Sequence, residues 1–204
     1  SDNSLQAKGD HTPALSSGYA NSGAGFEDLD RSELSIPFLT LLQPMSPQVA
    51  DIEGAKAGQI LNTLTEETID NLTIVPLHRD HHFVEYAPRS AGGGVVSRRS
   101  PNDPMVQQLR AEQGRFGKLT TNSGNELIET FYLYVGILDD PTDEFFAGMA
   151  IIPFTSTKIK VYQKLMTRLR SNRVDVGGTF EVPPIYANKI KLATSQEKNK
   201  HGTF

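Results

Sequence analysis

A four-residue turn signal near the middle of the chain is the strongest constraint on its fold. The run Asn122-Ser123-Gly124-Asn125 separates residues 118–121 from residues 126–138, and both flanking segments favour strands. Asparagine and glycine adopt the backbone conformations that tight hairpin turns need, so the pattern predicts an antiparallel hairpin. Residues 129–138 (ETFYLYVGIL) are apolar on both faces, which is typical of a central, covered strand.

Other short segments of the same kind predict a domain of the mainly β (α+β) class. Strands are expected over 58–63, 72–77, 82–88, 145–154 and 184–195, with turns at 139–143 and 197–202. Pro76 predicts an edge or a bulge, because proline has no N–H to donate to a neighbouring strand. A helix ending at Gly114 is predicted, with Asp103 as its cap and Pro104 in its first turn. With a second helix between late strands, the pattern indicates an OB-like small antiparallel barrel.

The two ends of the chain differ from the rest. Residues 1–25 consist mainly of serine, glycine, alanine and asparagine, with almost no large apolar side chain. Such a segment buries too little apolar surface to offset the entropy lost on ordering, so a flexible tail is predicted. Residues 26–204 are expected to form a single OB-like domain. The chain ends at Thr203-Phe204 as if a strand had just begun, which predicts a truncated C-terminus.

Composition excludes several classes of protein. The 204 residues include no cysteine, which rules out disulfides, thiolate metal sites and cysteine nucleophiles. No apolar run approaches the ~18 residues of a membrane helix, and the N-terminus lacks the apolar core of a signal peptide. We therefore expect a cytoplasmic protein without a membrane partner.

Positive charge is concentrated in residues 155–173. The formal net charge of the chain is −4, yet this segment holds no acidic residue and six basic ones: Lys158, Lys160, Lys164, Arg168, Arg170 and Arg173. Its apolar residues fall at helical spacing, so one side of a helix packs on the core and the rest is cationic. The pattern favours a polyanion partner, with nucleic acid as the leading candidate. A solvated helix whose cations serve solubility is the competing interpretation.

A second segment, residues 78–99, interleaves cations with aromatic rings around three consecutive glycines. Single-strand binding needs cations that neutralise phosphates and rings that stack on bases. The competing interpretation is a β-hairpin with Phe83 and Tyr86 in the core. Tyr132 and Tyr134 would form a further stacking platform if their face of the strand were open.

Catalytic signatures are absent from the sequence. It has no phosphate-binding loop and no GxSxG elbow. His78, Asp80 and His82 would point to one side of an extended strand, as three metal ligands could. No other cluster of metal-ligand spacing accompanies them. A binding protein without a cofactor is therefore expected, and a metal-dependent nuclease remains a third hypothesis.

Several segments together resemble a known group of proteins. These are GFEDLDRSELSIPFLTLLQPMSPQV, GQILNTLTEETIDNLTIVP, FVEYAPR with the following GGG, FTSTKIKVYQKL and YANKIKLATSQEKNKHGTF. They are similar to a group of tailed-bacteriophage proteins, and the resemblance covers residues 25–204. Some members are described as single-stranded DNA-binding or transcription-cofactor proteins with an OB-like core. The acidic C-terminal tail common in single-strand binders is missing, so recruitment of helper proteins through such a tail is not expected.

The resemblance implies a phage protein acting in the host cytoplasm in replication, recombination or transcription. RNA polymerase or replication proteins are its expected partners, besides further copies of itself. The predicted phosphate contacts are Arg79, Arg89, Arg98, Arg99, Lys158, Lys160, Lys164, Arg168 and Arg170, and the predicted stacking residues are Phe83, Tyr86, Tyr132 and Tyr134. These residues are expected to converge in one groove. The alternative is a protein-interaction module, either a host-enzyme inhibitor or a virion component.

Overall fold

The computed structural model describes residues 35–114, 119–138 and 148–194, and the backbone of 198–199 and 202–203. Single turns of 3-10 helix lie at Arg89–Ala91 and Ile185–Ala187. The longer elements, in chain order, are β1 (Leu39–Leu41), α1 (Gln48–Asp51), β2 (Ile60–Asn62), β3 (Thr68–Ile69), β4 (Asn71–Tyr86), β5 (Val95–Arg99), α2 (Pro104–Gln113), β6 (Leu119–Thr120), β7 (Glu126–Ile137), β8 (Met149–Thr155), α3 (Lys158–Ser171), β9 (Val174–Val176), β10 (Thr179–Glu181), β11 (Ile190–Ala193), β12 (Lys198–Asn199) and β13 (Gly202–Thr203).

A six-stranded antiparallel sheet is the centre of the fold. Its two long strands, β4 and β7, pair with each other from Ile74 opposite Ile137 to Tyr86 opposite Glu126. The outer edge of β4 pairs with β11 and β5, and the outer edge of β7 pairs with β6 and β8. The mainly β class is therefore confirmed. The described strands form no closed barrel, because those on the two outer edges do not pair with each other.

A β-bulge in β4 decides which side chains share a face of the sheet. Pro76 lies opposite Val135 and His78 lies opposite Tyr134, so Leu77 is an extra residue. The bulge that Pro76 predicted is confirmed. Because an extra residue shifts the two-residue alternation of a strand, Arg79 comes to lie on the same face as Pro76.

The main core lies on one face of this sheet. There α3 covers β7 and β8, and the Tyr162 ring lies 4.7 Å from the Phe131 ring and 5.3 Å from that of Phe154. Leu133 and Val135 are completely buried in the same cluster, to which the small sheet of β1, β2 and β3 contributes Leu39 and Ile60. A second cluster packs α2 on the sheet through Phe83, Val106, Leu109, Leu119 and Leu127. None of the described helices is long and apolar enough to cross a membrane.

Several local predictions agree with the structure. The Asp103 side chain accepts a hydrogen bond from the Met105 N–H at 2.9 Å, and α2 ends before Gly114 as expected. The central hairpin is formed by β6 and β7. The predicted strand at 184–195 is shorter, since only Ile190–Ala193 pairs with β4. The proposed tail at 1–25 and the turn at 139–143 lie outside the described residues.

A hairpin that the sequence analysis did not predict follows α3. Val174–Val176 pairs with Thr179–Glu181 across Gly177 and Gly178, whose φ angles of 61° and 89° suit glycine. This β9–β10 hairpin pairs with no other described strand. Its most exposed large apolar residue is Phe180, at 71%.

Candidate nucleic-acid interface

The face of the central sheet opposite α3 carries aromatic rings and polar groups. We call this face the aromatic face. The register of the paired strands brings the residues of this face together, because residues opposite each other in paired strands share a face. His78 lies opposite Tyr134, Asp80 lies opposite Tyr132, and Val84 lies opposite Arg98. The aromatic face consists of His78, Asp80, His82, Tyr86, Arg98, Tyr132 and Tyr134.

Rings on this face lie close enough to form a row across β4 and β7. The centroids of His78 and Tyr134 are 5.6 Å apart, and those of His82 and Tyr132 are 6.1 Å apart. Both tyrosines are half-buried, so each is held by its neighbours and keeps part of its surface in solvent. Phe38 flanks the row, with its ring 6.5 Å from that of Tyr132.

Arg98 supplies the positive charge of the aromatic face. It is exposed on β5, and its guanidinium group lies close enough to the Tyr132 hydroxyl to influence the pKa of that hydroxyl. Burial raises the pKa of the Tyr132 hydroxyl, and the charge of Arg98 offsets part of that rise. The phenol therefore stays neutral near pH 7, and the guanidinium group remains partly free for an anion.

Asp80 and His82 form a hydrogen-bonded pair on the same face, with 2.7 Å between Oδ2 and Nε2. Burial alone would raise the pKa of Asp80, but the hydrogen bonds from His82 and from the His81 N–H outweigh it and lower the pKa. His78, Asp80 and His82 do share a face. However, the described residues contain no cluster of three or more histidines or carboxylates able to hold a metal. The third hypothesis, a three-ligand metal site, therefore gains no support, and Asp80 and His82 form a hydrogen-bonded pair instead.

Phe83, one of the predicted stacking residues, lies on the other face and inside the protein. Only 2% of it is exposed, and it packs with Val106 and Leu109 of α2. The guanidinium carbon of Arg110 lies 5.4 Å from the centre of the ring. A base cannot stack on a ring that is already covered, so the stacking role predicted for Phe83 is corrected to a core role.

Arg99, a predicted phosphate contact, is held by a buried carboxylate. Its Nε and Nη2 atoms donate to Glu85 Oε2 at 3.1 and 3.0 Å. Ser97 donates to the same oxygen at 2.7 Å, and Asn125 donates to Oε1 at 2.7 Å. The hydrogen bonds from Asn125 and Ser97, with that from Arg99, lower the pKa of Glu85 despite its burial. Arg99 therefore stabilises the β4–β5 hairpin, and its charge is not free to contact a phosphate.

The cations of α3 lie on the opposite side of the sheet from Arg98. Phe131 and Tyr132 are successive residues of β7 and so point to opposite faces, and α3 packs on Phe131. Lys160, Lys164, Arg168 and Arg170 are exposed, whereas Lys158 is half-buried and burial lowers its pKa. Arg79 is exposed. It lies on the same face of the sheet as α3, because it pairs with the core residue Leu133 of β7.

The predicted cations therefore do not converge in one groove. Arg98 belongs to the aromatic face, together with Tyr86, Tyr132 and Tyr134. Arg89 is exposed in the 3-10 turn at the end of the β4–β5 hairpin. Sequence reasoning could not separate the two surfaces, because the Pro76 bulge decides which cations of β4 share a face with Tyr132.

The fold and these surfaces define a mainly β protein with a half-exposed aromatic face and a cationic helix on opposite sides of an open sheet. The chain belongs to the Pam3 phage gp34-like protein family, whose model matches residues 6–204. The expectation of a phage protein family is thereby confirmed. No curated protein and no solved structure matches the chain.

Proposed function

We propose that this phage protein binds single-stranded DNA on its aromatic face, without catalysis. The observation that carries the proposal is the row formed by Tyr132 and Tyr134 with His82 and His78, beside the exposed guanidinium of Arg98. Stacking of a base on an aromatic ring stabilises such complexes by ~1–3 kcal/mol. A nearby arginine adds a salt-dependent contact with phosphate.

Unpaired bases suit this surface better than a duplex does. Base faces are covered by their neighbours in a double helix, whereas a single strand can turn them towards side chains. The β4–β5 hairpin places two exposed arginines along one edge of the surface, Arg89 at its tip and Arg98 on its returning strand. Contacts of this kind are insensitive to base identity, so little sequence preference is expected.

Because the chain belongs to a phage family, the process that we propose for it is phage replication, recombination or transcription within the host cytoplasm. Each of these processes exposes single strands. RNA polymerase or replication proteins are the proposed partners in such a role.

A fluorescence anisotropy titration with a labelled thymidine oligonucleotide tests the proposal. We expect binding at low salt and a decrease in log K with log salt of about 0.7 for each phosphate contacted. The variant Arg98→Gln should bind more weakly and reduce that slope by about 0.7, since one phosphate contact is lost.

Lys56→Gln is the matched control, because Lys56 is an exposed cation outside the aromatic face. It should leave the slope unchanged. Absence of binding at low salt, or binding that salt does not weaken, would contradict the proposal. A slope reduced equally by Lys56→Gln would show that Arg98 acts only through net charge.

The β9–β10 hairpin favours a second candidate function, a protein-interaction module whose occupant is another copy of the chain. A two-stranded hairpin is marginal on its own, and this one leaves Phe180, Val176 and Val174 exposed. Both strands also have an outer edge that pairs with no described strand. A virion component or a host-enzyme inhibitor would use the same exposed surface.

Phe180→Ser is expected to weaken self-association, because it removes the largest apolar contact of the hairpin. Sedimentation velocity over a range of protein concentrations should show oligomers for the parent and a shift towards monomer for the variant. Met45→Ser is the control, since Met45 is 93% exposed and belongs to the turn between β1 and α1 rather than to the hairpin. A parent protein that stays monomeric throughout the range would exclude the second candidate.

A further inference from the structure

We infer that the outer side of α3 is a second nucleic-acid contact surface, which lets one protein molecule hold two separate strands. This inference rests on the proposed function, because the first strand is the one on the aromatic face. The second surface consists of Lys160, Lys164 and Arg168, named here the α3 stripe. Successive members lie four residues apart, and all three are exposed on the side of the helix opposite its buried and half-buried apolar residues.

The α3 stripe contains unpaired positive charge. No ion pair joins Lys160, Lys164 or Arg168 to a carboxylate in the part of the chain that the structure describes. Like charges four residues apart on a helix repel each other, so the stripe destabilises an isolated helix. An anion with regularly spaced charges relieves this repulsion. Successive residues of the stripe are about 6 Å apart along the helix axis, a spacing similar to that of phosphates in an extended strand.

Contacts on this side of the protein are restricted to the backbone of the nucleic acid. The only aromatic residue of α3 is Tyr162, which is 4% exposed and packed on Phe131. Gln163 and Thr167 lie between the cations and offer hydrogen bonds rather than stacking surfaces. The α3 stripe therefore binds phosphates, whereas the aromatic face binds bases and phosphates together.

The sheet separates the two surfaces. Tyr132 and Phe131 project to opposite faces of β7, and α3 covers the Phe131 side. A short strand that stacks on Tyr132 cannot reach the α3 stripe without passing around the edge of the sheet. Each protein molecule therefore has one place for bases and another for a second backbone. Bridging of two strands follows from this geometry, and such bridging would bring strands together for pairing or compaction.

A fluorescence energy transfer experiment tests the inference. Two thymidine oligomers of about 12 nucleotides, one with a donor and one with an acceptor, are mixed with the full chain; they match the size of a single binding site and cannot pair with each other. We expect energy transfer when the oligomers are in twofold excess over protein. It should disappear when protein is in large excess, because each molecule then holds one oligomer.

The decisive variant is Lys160→Gln/Lys164→Gln/Arg168→Gln. It should abolish energy transfer while changing the affinity for a single oligomer, measured by anisotropy, less than about threefold through the loss of long-range attraction. The matched control Lys56→Gln/Arg173→Gln/Lys189→Gln removes three exposed cations that lie outside the stripe and outside the strands of the central sheet. It should retain energy transfer.

The two measurements distinguish a failure of the bridging inference from a failure of the proposed function. Binding by anisotropy without energy transfer would overturn bridging and leave the proposed function in place. If the α3 variant lost all binding while Tyr132→Ala bound normally, α3 would be the only site and both proposals would fall. If energy transfer were lost in the control, or lost in Phe180→Ser and retained in the α3 variant, net charge or self-association would be the cause and bridging would be overturned.

Discussion

Replacement of Glu85 by alanine is expected to lower the free energy of unfolding by roughly 3 kcal/mol, because a buried ion pair loses one partner. The Glu85 side chain is only 6% exposed, and the guanidinium that it binds belongs to Arg99, which is 26% exposed. Partial hydration of Arg99 in the variant places the loss at the lower end of the range for buried pairs. Chemical denaturation followed by circular dichroism measures the loss.

The contribution of Glu85 should also depend on pH. Its pKa is lowered in the folded protein, chiefly by the hydrogen bonds from Asn125 and Ser97. A carboxylate with a depressed folded pKa stabilises the protein above its unfolded pKa, and that stabilisation is lost as pH falls through the folded value. The parent should therefore lose stability below about pH 4.5, the ordinary pKa of a glutamate.

Glu85→Gln is the informative companion variant. The glutamine amide keeps the size of the side chain. Its NH₂ group, however, donates hydrogen bonds where a carboxylate oxygen accepted them. We expect a smaller loss of stability than with alanine, together with a shallower dependence on pH in the acid range. Asp103→Asn is the control, because Asp103 meets Arg99 through a single longer contact of 3.4 Å. Equal acid slopes for the parent and Glu85→Gln would contradict the assignment.

Local signals in the sequence predicted the parts of the fold that depend on neighbours in the chain. The cap at Asp103, the turn at residues 122–125 and the bulge at Pro76 each follow from the chemistry of one or two residues. The β9–β10 hairpin has an equally local signal in Gly177-Gly178 between alternating residues. That hairpin could therefore have been predicted, whereas the open sheet depends on which distant strands pair.

The candidate site shows the same division. The tyrosines of β7 and the cations of β4 and α3 were recognisable by residue type. Their division between two surfaces could not be predicted. The register of β4 against β7 and the single extra residue at Leu77 decide on which face each residue lies. Glu85 was not recognised as the partner of Arg99, since the two lie on different strands joined only in the folded sheet.

Replacement of Tyr132 by alanine is expected to weaken binding of single-stranded DNA by ~1–3 kcal/mol, or about 5- to 150-fold, because one stacking surface is lost. Tyr132 is the ring with the most neighbours on the aromatic face, meeting His82, Phe38 and Arg98. Those contacts fix its orientation before DNA arrives, so little entropy is lost when a base stacks on it. Anisotropy at fixed salt measures the change, and circular dichroism shows whether the variant is folded.

Two further substitutions distinguish stacking from other effects of Tyr132. Tyr132→Phe keeps the ring and removes the hydroxyl that contacts Arg98, so it should retain most of the affinity. Phe180→Ser removes an exposed ring from the β9–β10 hairpin, which pairs with no described strand of the central sheet, and should leave binding unchanged. The chain has no tryptophan, so DNA should quench tyrosine fluorescence in the parent and do so less in Tyr132→Ala. If Tyr132→Phe lost as much affinity as Tyr132→Ala, or if Phe180→Ser caused a comparable loss, Tyr132 would be excluded as a stacking platform.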